Sequence, residues 1–187
     1  MRLFLAVNLP AALQSAIGLA TAELRLIASD LAWVPDARVH LTLRFLGEQA
    51  EASVLPLSAA IDAVAARHMP TKAVVGGVGA FPNFRRPRVL WMGVDGVSVL
   101  ALQRDVEAAC VALGQPAEDR PFRPHLTLAR VKRRPSIAEL RRLELAAGQL
   151  RFTSAFTVSS IDLMQSTSAK DGHRYVLLHR AQLYVSE

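Results

Sequence analysis

The tetrapeptide His40-Leu41-Thr42-Leu43 recurs letter for letter as His125-Leu126-Thr127-Leu128. In an extended strand side chains alternate between faces, so an imidazole and a hydroxyl two residues apart project together while the leucines project the other way. Each copy is expected to anchor in a core through its leucines and to offer His and Thr to the opposite face. Imidazole, with an unperturbed pKa of about 6.5, can give or take a proton at neutral pH. Two such units predict a site in which one histidine acts as acid and the other as base on a single substrate. With 5 His and 7 Thr in 187 residues, random placement yields only about 0.2 His-x-Thr triplets. A duplicated polar pair is also costly as core filling, so packing alone explains it poorly.

Strands and helices must bring these units together. Arg2 to Asn8 reads as a strand, and Pro10 to about Ile27 carries apolar residues at helical spacing. Ala32 to Val34 is a short strand, Val39 to Leu46 the first motif strand, and Glu51 to about Ala66 a second helix. Lys72 to Val78 and Val89 to Val94 read as strands flanking a loop from Gly79 to Arg88. A third helix, Ser98 to Leu113, ends at Gly114. Pro124 to Val131 is the second motif strand, followed by a short helix from Ile137 to Ala146 and strands over 152–158, 160–164 and 174–184. The order lacks a regular βαβ repeat, which predicts an α+β fold with mainly antiparallel pairing. The two motifs stand about half a chain apart, so we expect a single bilobal domain over residues 1–187. Its two pseudo-symmetric sheets, with flanking helices, would surround a central cleft.

Composition narrows the functional classes. The chain is 51% hydrophobic, enough for a sizeable core, and has no apolar run near the roughly 20 residues that span a bilayer. The N-terminal apolar stretch is too short for a signal peptide. The lone Cys110 precludes an intramolecular disulfide and a Cys-rich zinc site. These features point to a cytoplasmic protein with no membrane association, and nothing demands more than a monomer. Net charge is +6, and among the 22 basic residues only Lys72, Lys132 and Lys170 are lysine. Arginine suits bidentate contact with phosphate. Arg85, Arg86 and Arg88 fall in one Pro-rich loop, and Arg120, Arg123, Arg130, Lys132, Arg133 and Arg134 surround the second motif. A phosphate-bearing, nucleic-acid-like substrate is expected.

With these residues in place the chain resembles the 2H phosphoesterases, specifically the RNA 2′,3′-cyclic phosphodiesterases once called 2′-5′ RNA ligases. The similarity rests on Arg2-Leu-Phe-Leu-Ala-Val-Asn-Leu-Pro10, His40-Leu-Thr-Leu-Arg-Phe-Leu-Gly-Glu48, Gly79-Ala-Phe-Pro82, Pro87-Arg-Val-Leu-Trp-Met-Gly-Val94 and Arg120-Pro-Phe-Arg-Pro-His-Leu-Thr-Leu-Ala-Arg130. The resemblance implies hydrolysis of RNA ends or nucleotides bearing a 2′,3′-cyclic phosphate to 2′-phosphomonoesters, without metal or other cofactor. It also implies reversible 2′-5′ RNA joining, with His40 as proton donor and His125 as proton acceptor.

Thr42 and Thr127 are expected to donate hydrogen bonds to non-bridging phosphate oxygens. Arg130 lies at an odd offset from His125 and needs a bulge or strand end to reach the same face; with that, it is a phosphate contact. Phe45 has the same odd offset from His40 and is expected in the core, while Arg44 stands where a small or apolar residue would be typical. Phe81 and Phe84 are candidates for stacking on a base. Ser166, Arg174 and Tyr175 resemble positions that close the cleft in relatives. Two competing classes are a basic RNA-binding module without turnover and a metallohydrolase built on His40, His125 and His173. The first makes no use of two proton-transfer groups, and no ligand-spacing motif supports the second. His68, His173 and His179 are expected at the surface or in loops.

Overall fold

Nine strands carry the site: β1 Arg2–Asn8, β2 Ala32–Trp33, β3 His40–Glu48, β4 Thr71–Phe81, β5 Val89–Asp95, β6 His125–Arg130, β7 Thr153–Val158, β8 Ser160–Ala169 and β9 Gly172–Gln182. They come from a computed structural model that describes residues 1–133, 135–169 and 172–184. Arg134, Lys170 and the side chain of His173 lie outside the described residues. All strand pairs among the described residues are antiparallel, in the order β7-β4-β5-β6-β3-β1-β8-β9, with the short β2 also on β6.

The expected α+β fold with two similar halves is present, and its halves are fused. One half is β3-β1-β8-β9, the other β6-β5-β4-β7. Among the described residues they join through a single pair, Leu41 opposite Leu126. Both leucines are fully buried in the main core. Each motif strand is thus the inner edge of its own half, and the two edges meet at the centre of one continuous sheet.

Among the described residues five α-helices cover the outer face: α1 Ala11–Ala20, α2 Ala22–Ile27, α3 Val54–Ala65, α4 Val97–Ala112 and α5 Ile137–Gln149. Helices α3 and α4 pack together behind β8, β9 and β3, while α2 packs on α5 and α5 on β4. The helix expected over 10–27 is divided at buried Thr21, whose Oγ1 donates back to the Ile17 carbonyl at 2.8 Å. Such a bond to residue i−4 competes with the helical ladder and bends the chain. Helix α4 ends as read from the sequence, with Gly114 at φ +84°. Helix α5 starts at a capping box between Ser136 and Glu139 and runs three residues beyond its expected end. Strand β4 extends to Phe81, so the loop begins at Pro82. Cys110 is a core residue, and burial pushes its thiol up to about 11, which keeps it protonated.

The seam between the halves has a measurable weight. Leu126→Ala removes a side chain with no exposed surface at the β3–β6 pair and is expected to cost about 2–5 kcal/mol. Urea denaturation of the variant against wild type checks this. A loss below about 1 kcal/mol would mean the seam relaxes around the cavity.

Candidate active site

Antiparallel pairing about Leu41 and Leu126 sets His40 level with Thr127 and Thr42 level with His125. Because the leucines face the core, all four polar side chains share the opposite, half-exposed face. The expected juxtaposition of two histidines and two threonines is therefore a direct consequence of one register. Among the described residues neither threonine hydroxyl is committed to a protein partner.

Both histidines are held in the same way. His40 Nδ1 lies 2.8 Å from the Arg38 carbonyl, and His125 Nδ1 lies 2.6 Å from that of Arg123. A carbonyl only accepts, so each Nδ1 carries the hydrogen and each Nε2 is left to exchange a proton with a ligand. Rings then fix the imidazole planes. His40 meets Phe4 at 5.1 Å and the edge of Tyr175 at 5.2 Å. His125 meets Phe81 edge-on at 5.0 Å, and Phe81 packs on Trp91 at 5.1 Å. Gly79 lets this wall form, because a Cβ there would stand 2.2 Å from the Trp91 ring.

Burial lowers the pKa of His40, its bond to the Arg38 carbonyl offsets this in part, and the Arg130 charge lowers it further. Arg130 acts across the seam because the antiparallel register carries the end of β6 towards the start of β3.

The odd-offset problem is resolved by two matching bulges. In β3, Thr42 pairs with Ala6 and Arg44 with Leu5, leaving Leu43 as the extra residue. In β6, Thr127 pairs with Trp91 and Ala129 with Leu90, leaving Leu128 extra. The last leucine of each tetrapeptide thus occupies a bulge, after which the alternation of faces reverses. Arg130 is thereby turned to the side of His125 and Thr127, as a phosphate contact requires, and is exposed. The same reversal overturns the expectation for Phe45. It is 58% exposed and lies on the His40 face, its ring 6.2 Å from that of Phe4.

The remaining candidates divide. Phe81 lies in the site, whereas Phe84 is partly buried and packs against the main core. Tyr175 touches His40, and Ser166 pairs with it across β8 and β9, so the two share the site face. Arg174 is exposed on the next position of β9, and strand alternation directs it to the other face. His179 is on β9, bound to Asp62 on α3 at 2.8 Å, and His68 is bound to Asp105 at 2.8 Å; neither joins the pair.

Arg44 is buried on the core side and bonds to Glu107 of α4 and to the Pro116 carbonyl. Glu107 also accepts from the Glu118 amide at 2.9 Å. The unexpected arginine ties the segment leading into His125 to the first motif strand.

Sequence reasoning missed a polar group beside His40. Asn8, opposite His40 on β1, donates to Asp162 Oδ2 at 2.6 Å. Fully buried Asp162 also holds Arg180 through two bonds of 2.7 and 2.9 Å and accepts from Ser160 at 3.2 Å. The polar residue ending the apolar run Leu3 to Val7 of β1 was the local signal, and its partner stands 154 residues away.

The fold is an antiparallel sheet whose two central strands each present His-x-Thr to one face. The chain belongs to the 2′-5′ RNA ligase superfamily, whose family model matches residues 11–170. It is 33% identical to an RNA 2′,3′-cyclic phosphodiesterase of Aeropyrum pernix over 80% of this chain and 84% of that protein. A Geobacillus stearothermophilus protein of the same description is 37% identical over 68% of this chain, and the chain spans only 41% of that longer relative. A crystal structure of TT0787 from Thermus thermophilus aligns over 98% of both chains with a TM-score of 0.82 and 30% identity. Escherichia coli LigT complexed with 3′-AMP aligns over 97% of both, with a TM-score of 0.77 and 26% identity. Among the described residues, no helix is long and apolar enough to cross a membrane.

Proposed function

We propose that this protein is an RNA 2′,3′-cyclic phosphodiesterase, a hydrolase that opens the cyclic phosphate to a 2′-phosphomonoester with two histidines and no metal. The observation that carries the reading is the pair of fixed imidazoles, each with its Nδ1 on a carbonyl and a threonine of the other motif level with it. The names of the relatives support the reaction class.

In this reading the cyclic phosphate lies between the motif strands. His125 Nε2 takes a proton from water, and the water oxygen attacks phosphorus. The bond from phosphorus to the ribose 3′ oxygen breaks, and that oxygen receives a proton from His40 Nε2. The carbonyls on both Nδ1 atoms favour whichever ring is cationic. Thr42 and Thr127 donate to the non-bridging oxygens as charge accumulates, and Arg130 offsets the phosphate charge. Replacing water by a ribose 5′ hydroxyl as the attacking group gives 2′-5′ joining through the same steps, and their reverse cleaves that linkage to the cyclic phosphate. The natural ligand is an RNA end or nucleotide bearing the cyclic phosphate, met in the cytoplasm by a monomer folded as one bilobal domain.

The first test is incubation with a cyclic-phosphate-terminated oligoribonucleotide in chelator, with the product's phosphate position resolved. A 2′-phosphate is expected. An intact substrate that remains tightly bound would leave the RNA-binding module instead, and activity lost only in chelator would revive metal chemistry.

Acidity gives an independent check. As donor, His40 must hold a proton, yet burial and Arg130 depress its pKa below the ordinary 6.5, so the free protein has it neutral at pH 7. A bound phosphate raises it again. Because kcat/KM reports free-enzyme ionisations, the limb set by His40 is expected on the acid side of the ordinary imidazole value. Arg130→Gln removes a positive charge and so shifts that limb upward while raising KM. A pH–rate series on both proteins reads the shift, and a limb that does not move would assign the donor elsewhere.

A further inference from the structure

We infer that the side-chain carbonyl of Asn8 is the acceptor for the ribose 3′-hydroxyl that ring opening releases; the inference rests on the function proposed above.

The two motifs are identical and their histidines are held alike, so a difference between the donor side and the acceptor side must come from neighbouring strands. In the register, Asn8 of β1 stands opposite His40, whereas the residue of β5 opposite His125 is Gly93. Residues directly opposite in an antiparallel pair lie within about 5.5 Å of each other at Cα and project to the same face. Asn8 is partly exposed there. An amide therefore flanks the proton donor, and bare backbone flanks the proton acceptor.

The orientation of that amide is fixed from behind. Asn8 Nδ2 donates to Asp162 Oδ2 at 2.6 Å and lies 3.5 Å from Met164 Sδ. Both partners belong to β8, on the side of β1 remote from β3. The same carboxylate receives two bonds from Arg180 and one from Ser160, so it acts wholly as an acceptor and selects the NH2 end of the amide. Nδ2 is thus drawn to β8, and Oδ1 is left towards His40. Among the described residues Oδ1 meets no hydrogen-bond donor.

An acceptor held in a fixed direction beside the donor histidine fits one group of the reaction. In the cyclic phosphate the 3′ oxygen carries no hydrogen. When its bond to phosphorus breaks, it takes the proton of His40 Nε2 and becomes a hydroxyl. Once His40 regains a proton, Nε2 again donates to that oxygen, and the hydroxyl hydrogen turns to another acceptor. Asn8 Oδ1 supplies it. Asp162 acts through Asn8 as a positioning residue, because it decides which end of the amide faces the site. The contact exists with product and is absent with substrate, so Asn8 governs retention of the 2′-phosphomonoester.

Calorimetric titration compares a nucleoside 2′-monophosphate with its 3′-deoxy analogue in wild type, Asn8→Ala and Asn8→Leu. Both substitutions are expected to weaken binding of the 3′-hydroxy ligand roughly 2- to 10-fold, the worth of one neutral hydrogen bond, and to leave the 3′-deoxy ligand unchanged. Asp162→Asn, whose amide can meet either end of Asn8, should show the same selective loss, with a thermal melt separating it from unfolding. KM for a nucleoside 2′,3′-cyclic phosphate should stay within about twofold of wild type in the Asn8 variants, because its 3′ oxygen has no hydrogen to give. Equal losses on both ligands, no loss on the 3′-hydroxy ligand, or a KM that rises in step with the product's Kd would overturn the inference. Should wild type leave the cyclic phosphate intact, the functional reading fails and the two titrations decide Asn8 alone: a selective loss keeps the contact, and an equal loss ends it.

Discussion

His125→Ala is expected to lower kcat on a 2′,3′-cyclic phosphate roughly 100- to 10,000-fold at pH 7, and His40→Ala by a similar factor. Each imidazole has one nitrogen tied to a carbonyl two residues back and one available for proton transfer, so neither can be replaced by a rotation of the other. Water near phosphorus is a poor nucleophile until a base removes its proton, and the ribose oxygen is a poor leaving group until it is protonated. Loss of either ring removes one half of this exchange. The effects should be strongly non-additive, with the double variant little worse than either single one, because the pair acts as a unit. Asparagine is the sharper substitution at both sites. Its amide can still donate to the Arg38 or Arg123 carbonyl, which keeps the local turn, but it cannot transfer a proton. Steady-state kinetics with a circular dichroism melt for each variant separates chemistry from folding. A variant that kept more than about a tenth of wild-type kcat would remove that histidine from the reaction.

Thr127→Val and Thr42→Val are expected to lower kcat by roughly 100- to 1,000-fold each, the usual cost of one donor to developing charge. Valine keeps the β-branched shape and the strand preference, so the backbone has no reason to move. What disappears is a hydroxyl that has no protein partner among the described residues and sits level with the histidine of the other motif. If that hydroxyl bonds a non-bridging oxygen more strongly as the phosphorane forms, kcat falls and KM changes little. A loss confined to KM would make the threonines ground-state contacts. Rates within about threefold of wild type would make them strand formers only.

The paired motifs and their faces were legible because side-chain alternation is local: Leu41, Leu43, Leu126 and Leu128 are buried and their His and Thr neighbours are partly exposed. The same locality explains why most elements were recovered and why α1 and α2 were read as one helix. A threonine at that spacing fits a helical pattern, and only its bond to the Ile17 carbonyl reveals the bend. Failures came where one strand depends on another. A bulge is a mismatch between two strands, so neither Leu43 nor Leu128 could announce it, and Phe45 was assigned to the core while Arg130 stayed ambiguous. Phe84 and Phe81 are near neighbours in one aromatic stretch, yet packing sends one to the core and the other to His125.

The sequence by itself determined the chemistry on offer: two imidazoles and two hydroxyls on apolar strands, within an arginine-rich chain. Tertiary structure alone decided the register that sets His40 beside Thr127, the tautomers, the partner of Arg44 on α4, and the bond from Asn8 to Asp162. Periodicity is written into neighbouring residues, whereas register, bulges and buried polar pairs are contracts between segments up to 154 residues apart. Their energies exist only once the chain has closed those distances.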